Sequence, residues 1–164
     1  MPLLRTDPEI VARRPLFSRR AVVGLLVGTG GAAGLYAFAD TAKSVPISTD
    51  AALAGVTKGK LTLLDIRRPD EWALTGVATG AVPLDMRGSD FTERLDQLLG
   101  GNRSAPIALI CARGVRSRRL AAKLTSAGFT AVVDVTEGML GSAAGPGWIA
   151  RGLPISPYVP EKTE

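Results

Sequence analysis

The stretch Pro106-Ile-Ala-Leu-Ile-Cys-Ala-Arg-Gly-Val-Arg-Ser117 decides how this chain folds. Its apolar run ends at Cys111, the single cysteine of the 164-residue chain, and such a run is typical of a strand buried on both faces. A short loop containing Gly114 follows, and a helical pattern begins at Ser117 and ends before Gly128. The segment therefore predicts a strand, a tight loop and a helix, with the thiol at the tip of the strand facing the helix N-terminus.

Cys111 in this setting is a candidate nucleophile. Unpaired backbone N–H groups and the helix dipole favour an anion at a helix N-terminus, and Arg113 and Arg116 add two positive charges within the predicted loop. We therefore expect the thiol to be largely ionised to the nucleophilic thiolate. The alternative interpretation is a small buried hydrophobe, which gives no reason for a glycine and two arginines to surround the side chain. Arg118 and Arg119 lie within the predicted helix and are interpreted as a solvated basic face.

The rest of the folded part alternates apolar runs with helical patterns. Further strands are predicted at 61–66, 81–82 and 131–135, and helices at 51–56, 67–72, 89–99 and 148–151, with an irregular loop over 138–147. This alternation predicts an α/β fold with a mostly parallel central sheet and helices on both faces. Ligands of such sheets bind beyond the carboxyl ends of the strands, where Cys111 is predicted to lie.

Composition excludes several kinds of site. The chain has one cysteine and no histidine, so an intramolecular disulfide, a Cys-His or Ser-His-Asp arrangement and a histidine-ligated metal site are all excluded. We expect neither a metal nor a cofactor. The net charge of +5 comes mainly from residues 1–39, where five arginines face one aspartate and one glutamate. No long basic tract or basic-and-aromatic pattern is present, and we therefore expect no binding to nucleic acid.

The first part of the chain resembles a twin-arginine export signal. Ser18-Arg19-Arg20 precedes the uncharged, glycine-rich stretch 21–39, which ends in Ala37-Phe38-Ala39, a small-x-small pattern typical of a cleavage site. We expect residues 1–39 to be an export signal, and the protein to be periplasmic or otherwise exported. The alternative is an uncleaved anchor in the inner membrane that faces the periplasm, in which case 21–39 is the only membrane contact. Residues 40–47 are interpreted as a linker.

Four stretches of the folded part resemble the rhodanese family of sulfurtransferases. They are Leu64-Asp-Ile-Arg-Arg-Pro-Asp-Glu-Trp72, Thr79-Gly-Ala-Val-Pro-Leu84, Cys111-Ala-Arg-Gly-Val-Arg116, and Glu137-Gly-Met139 with Trp148 and Gly152-Leu-Pro-Ile155. The chain departs from the family at 76–78, which lacks a frequent histidine, and at 140–147, which is longer and richer in glycine. The resemblance implies a three-layer rhodanese-like domain over residues 48–157, followed by a tail at 158–164.

The resemblance also implies an activity. It is the transfer of a sulfane sulfur from an anionic donor such as thiosulfate to cyanide or a thiol, through a persulfide on Cys111. The predicted substrate-binding residues are Ala112, Arg113, Gly114, Val115, Arg116 and Ser117. Asp65 and Arg67 are expected to support the loop, Arg67 by pairing with Glu71 or Asp85.

The alternatives are a non-catalytic persulfide carrier that serves a periplasmic acceptor protein, and a phosphatase or arsenate reductase of the same superfamily. The six-residue loop from Cys111 to Arg116 favours the sulfurtransferase branch, since the phosphatase branch has a loop one residue longer.

Overall fold

The computed structural model describes residues 45–160, in which seven strands and five helices alternate. The strands are β1 (Val45–Ile47), β2 (Thr62–Asp65), β3 (Val77–Ala78), β4 (Ala81–Pro83), β5 (Ile107–Ile110), β6 (Val132–Val135) and β7 (Ile155–Ser156). The helices are α1 (Thr49–Thr57), α2 (Pro69–Thr75), α3 (Phe91–Leu98), α4 (Val115–Ser126) and α5 (Gly147–Ala150).

Five of these strands form a parallel sheet in the order β1-β6-β5-β2-β4. The sheet is covered on both faces, because alternate side chains of β5 belong to different cores. Ile107 and Leu109 pack with residues of α3 and α4, whereas Ala108 and Ile110 pack with residues of α1 and α5. The predicted α/β fold with a mostly parallel sheet and helices on both faces is thereby confirmed.

The register of the sheet brings the carboxyl ends of three strands together. Asp65 of β2 lies opposite Ile110 of β5, and Leu109 of β5 lies opposite Asp134 of β6. Cys111 follows β5 directly, and its side chain belongs to the core on the α3 and α4 side. The thiol therefore lies at the edge of the sheet where α/β domains bind ligands.

Three local predictions differ from the structure. Residues 45–47, interpreted as linker, form β1 and pair with β6 in parallel; this edge strand is stabilised by its neighbour rather than by its own pattern. Helix α4 begins at Val115 rather than Ser117, because Gly114 takes a left-handed conformation and turns the chain at once into the helix. Residues 77–78 and 155–156, for which no strand was predicted, form β3 and β7, which pair antiparallel in a second small sheet.

The predicted export signal and anchor at 1–39 lie outside the described residues. Within residues 45–160, no helix is both long and apolar enough to cross a membrane.

Candidate active site

Cys111 lies at the base of the loop between β5 and α4. Its side chain is buried, with 1% exposure, and its Sγ lies 3.4 Å from the Oγ of Ser117. The Ser117 hydroxyl also donates to the carbonyl oxygen of Gly114 at 3.2 Å, which holds the serine against the loop. Ser117, which is fully buried, therefore fixes the position of the sulfur from the first turn of the helix.

The backbone of the loop is arranged to receive an anion. Helix α4 has twelve residues and no side chain caps its N-terminus, so the N–H groups of its first turn, from Val115 to Ser117, are unsatisfied. Among the described residues, the backbone N–H groups of 112–114 also make no hydrogen bond. Together with the helix dipole, these donors form a nest that stabilises negative charge beside the thiol.

Gly114 is required by the shape of this loop. Its φ is +75°, and a Cβ at this position would collide with the carbonyl oxygen of Thr136. A side chain would therefore be strained by both the backbone conformation and the close approach of the next loop.

Arg116 is held by a carboxylate from another part of the chain. Its Nη1 and Nη2 donate to the two oxygens of Glu71, at 2.7 and 2.6 Å, in a bidentate ion pair. The Arg116 hydrogen bond lowers the pKa of Glu71, against the opposing effect of burial. Glu71, and after it Cys111, raise the pKa of Arg116, whereas burial lowers it. The guanidinium thus lies near both groups, and Glu71 fixes its orientation and offsets part of its charge.

The sequence interpretation missed the role of Glu71 and assigned the pairing differently. Arg67 was expected to pair with Glu71 or Asp85; instead its Nη2 pairs with Asp65 at 2.7 Å, and Arg116 takes the Glu71 carboxylate. The predicted pairing of Arg67 is wrong because Asp65 lies only two residues away and is buried with Arg67. The last position of the Asp-x-Arg-x-x-x-Glu pattern at 65–71 carried the signal for Glu71.

The buried pair of Asp65 and Arg67 is bonded to helix α2. Arg67 also donates to the hydroxyl of Thr75 and the carbonyl oxygen of Gly76, at 2.8 and 2.7 Å. These bonds join the end of β2 to the end of α2, the helix that carries Glu71. The expected supporting role of Asp65 and Arg67 stays a prediction, for which these bonds supply the structural connection.

Arg113 is placed differently from Arg116. Its side chain is exposed, and within residues 45–160 it forms no ion pair or hydrogen bond. The guanidinium is thus available to a ligand, but at the rim of the loop rather than around the buried thiol. The sequence prediction that both arginines flank Cys111 from the loop needs this correction, since Arg116 is the second residue of α4.

The loop after β6 is hydrogen-bonded to the backbone of the candidate site. The backbone N–H groups of Met139 and Leu140 donate to the carbonyl oxygens of Cys111 and Ala112, both at 2.8 Å. Glu137 anchors this support, because its buried carboxylate accepts from the Nε of Arg151 at 2.8 Å. The Arg151 hydrogen bond lowers the pKa of Glu137, with burial opposing it. No sequence signal used above had indicated this role.

The described residues contain no group of three or more His, Cys, Asp or Glu side chains that could hold a metal ion. The chemistry available at this site is that of a thiol in a nest of backbone donors, with one anchored and one free guanidinium.

Comparison with known proteins identifies relatives of the fold. Residues 48–144 match the family described as the rhodanese-like domain. No curated protein matches the chain.

Solved structures with a similar fold include two of the Alr3790 protein from Anabaena sp. The crystal structure is 23% identical with a TM-score of 0.52, and the match covers 65% of this chain and 77% of that one. The solution structure of its rhodanese-like domain is 19% identical with a TM-score of 0.53, over 74% and 87% of the two chains. Wild-type EanB is 16% identical with a TM-score of 0.54, over 71% of this chain but 28% of its own. At these identities the likeness shows the fold alone.

Proposed function

The chain belongs to the rhodanese-like domain family, and we propose that it is a sulfurtransferase that moves a sulfane sulfur from an anionic donor to a nucleophilic acceptor through a persulfide on Cys111. Membership of this family supports a role of the sulfurtransferase type. The donor, taken as thiosulfate, and the acceptor, taken as cyanide or a thiol, are part of the proposal.

In the first half-reaction the Cys111 thiolate attacks the outer sulfur of thiosulfate. The new bond joins the Sγ to that sulfur, and the sulfur–sulfur bond of thiosulfate breaks with its electron pair on the departing sulfite. The products are a persulfide anion on Cys111 and sulfite, so the total charge is unchanged. This is covalent catalysis with two successive displacements.

In the second half-reaction an acceptor attacks the terminal sulfur of the persulfide. The bond between that sulfur and the Sγ breaks, and the Cys111 thiolate is regenerated. Cyanide becomes thiocyanate. A thiol becomes a persulfide, and its proton moves to the transferred, terminal sulfur. Neither half-reaction requires an external oxidant or reductant.

The residues of the loop divide this work. The N–H groups of 112–117 stabilise the thiolate and the persulfide anion, and the Ser117 hydroxyl lies within hydrogen-bond distance of the sulfur. Arg116, oriented by Glu71, stabilises charge on the sulfite as it departs. The exposed Arg113 attracts the anionic donor to the loop.

One observation carries the proposal: a buried thiol lies at the uncapped N-terminus of α4, with a permanent charge beside it and no histidine anywhere in the chain. In the proposed mechanism, fixed dipoles and charge take the place of a proton-accepting base. The loop of six residues from Cys111 to Arg116 supports sulfur over phosphate as the transferred group.

The test uses the full chain and its Cys111→Ser variant in a thiosulfate–cyanide assay, together with the intact mass after exposure to thiosulfate. We expect thiocyanate turnover and a one-sulfur adduct, both lost in Cys111→Ser. An adduct without turnover would instead identify a persulfide carrier. Hydrolysis of a phosphate ester without an adduct would identify a phosphatase and overturn the proposal.

We further propose that residues 1–39 direct export, so that sulfur transfer takes place in the periplasm. The pattern of paired arginines before 21–39 supports this proposal. Mass spectrometry of the protein from periplasmic and membrane fractions tests it. A shortened soluble protein supports cleavage, a full-length membrane protein supports the anchor, and a full-length cytoplasmic protein contradicts export.

A further inference from the structure

A cleft of about 320 Å³ lies beside the catalytic loop, on the side of β6. Its walls come from the loop, the first turn of α4, the end of β6 and the segment 142–144. The volume falls within the range of about 300–1,000 Å³ typical of small-molecule sites. Cys111 does not line the cleft, whereas its loop neighbours Arg113 and Gly114 do. The cleft is therefore adjacent to the thiol and shares part of its wall with the nest, at Gly114 and Val115.

Asp134 is a buried carboxyl group in this cleft. The residue is 1% exposed, and its Oδ1 has no hydrogen-bond partner among the described residues. Burial raises the pKa of Asp134, while the nearby Ser117 hydroxyl and the charge of Arg118 act in the opposite direction. A buried polar atom without a partner destabilises the folded state, so its presence calls for an explanation. A ligand that donates to this carboxylate would provide one.

Two arginines provide the opposite charge at the same cleft. Arg113 and Arg118 both line it, both are exposed, and neither forms an ion pair within residues 45–160. Guanidinium groups without an acidic partner are suited to bind a carboxylate in bidentate geometry. The cleft thus combines a buried carboxyl group, which can pair with a cation, and two exposed guanidinium groups, which can bind an anion.

We propose that this cleft binds the sulfur acceptor, a small thiol that carries both an ammonium and a carboxylate group. The ammonium pairs with Asp134, and the carboxylate pairs with Arg118 and Arg113. Free cysteine and a cysteine-containing peptide such as glutathione share this chemistry. This inference rests on the proposed sulfur transfer, since it assigns the acceptor of the second half-reaction.

The step itself is the displacement given above. The bound thiol attacks the terminal sulfur of the Cys111 persulfide anion, the enzyme's sulfur–sulfur bond breaks, and the thiol proton ends on the terminal sulfur of the product persulfide. Cyanide carries neither charged group of the proposed ligand and needs only the nest around Cys111. The two acceptors should therefore respond differently to changes in the cleft.

Steady-state kinetics of the full chain with thiosulfate can separate the two charges. The acceptors are free L-cysteine, glutathione, cysteamine, which lacks the carboxylate, mercaptopropionate, which lacks the ammonium, and cyanide. The variants are Arg118→Gln and Asp134→Asn. Arg119→Gln is the matched control, because this neighbouring arginine is exposed on the same helix but does not line the cleft.

We expect a crossed pattern of KM changes. Arg118→Gln should raise the KM of cysteine and mercaptopropionate about tenfold and leave that of cysteamine nearly unchanged. Asp134→Asn should raise the KM of cysteine and cysteamine by a similar factor and spare mercaptopropionate. Neither variant should alter the kinetics with cyanide, and Arg119→Gln should alter none of them. A lower KM for glutathione than for cysteine would identify a peptide as the ligand, and the reverse would identify the free amino acid.

The cleft assignment would be overturned by normal turnover with cyanide together with KM values that are equal for all the thiols and unchanged in both variants. Sulfur transfer itself would then stand. A complete lack of turnover, with cyanide included, would instead reject the proposed function. A direct binding measurement remains informative in that case. S-methyl-L-cysteine should bind the wild-type chain in calorimetry and bind Arg118→Gln about tenfold more weakly, and no binding to either would reject the cleft as a ligand site.

Discussion

The pattern Asp-x-Arg occurs at 65–67 and again at 85–87, and the two copies form the same local bonds. In each, the aspartate Oδ1 accepts from the arginine backbone N–H and from its Nε, and Oδ2 accepts from Nη2 at 2.7 Å. The copies differ in burial, because the Arg67 and Asp65 side chains are 1% and 0% exposed, whereas those of Arg87 and Asp85 are 59% and 21% exposed. Arg67 also donates to Thr75 and Gly76, so replacing each arginine by methionine compares a buried and further bonded pair with a solvated one.

The expected difference is large. Arg67→Met leaves the Asp65 carboxylate uncompensated in the interior, which typically costs about 3–5 kcal/mol. A domain of this size unfolds with an entropy of roughly 0.24 kcal/mol/K, so the Tm should fall by about 12–20 °C. Arg87→Met breaks a pair that water already screens, and its Tm shift should be several-fold smaller.

Thermal unfolding of the full chain, followed by circular dichroism at neutral pH, measures both shifts. The double variant Asp65→Leu with Arg67→Met should recover much of the loss, because it removes the stranded charge as well as its partner. Equal Tm shifts for Arg67→Met and Arg87→Met, or a double variant no more stable than Arg67→Met, would refute this reasoning.

Three further outcomes are expected. Gly114→Ala should lower the rate of sulfur transfer about a hundredfold by displacing the catalytic loop, whereas Gly59→Ala, at φ +61° in open space, should leave the steady-state rate unchanged. Because Arg116 lowers the pKa of Glu71, the pair adds stability above the ordinary value of 4.5 that is lost as pH falls through the lowered value. The Tm deficit of Glu71→Gln at neutral pH should therefore shrink toward about pH 3, and a constant deficit would contradict the ion pair. Burial raises the pKa of Asp134 in the folded protein, so the ionised carboxylate destabilises the folded state above the ordinary value of 3.8. Asp134→Asn should accordingly raise the Tm at neutral pH but not near about pH 3, and a lower Tm at neutral pH would mean that the carboxylate is already paired.

Much of the loop that follows Cys111 could be predicted because its determinants are local. An apolar run ending at Cys111, a glycine and a helical pattern are enough to predict a strand, a turn and a helix in that order. The start of α4 was misplaced by two residues, since a glycine in a left-handed conformation can begin a helix without a capping side chain.

Strand β1 was missed for a different reason. Residues 45–47 are too few and too exposed to show a strand pattern, and their conformation comes from hydrogen bonding to β6, almost ninety positions later in the chain. The role of Glu71 was also missed because it depends on a contact between distant parts of the chain. Glu71 reaches Arg116 only because α2 and α4 meet at the same end of the sheet.

Residue identities alone excluded a histidine base beside Cys111, because the chain has no histidine. They also determined that Cys111 is the single available thiol. Tertiary structure decided which charges reach that thiol, which carboxylates are buried and which arginines stay free. The two Asp-x-Arg copies show the physical reason: identical local bonding becomes a buried or a solvated pair according to what the rest of the chain packs over it, and no local pattern encodes that packing.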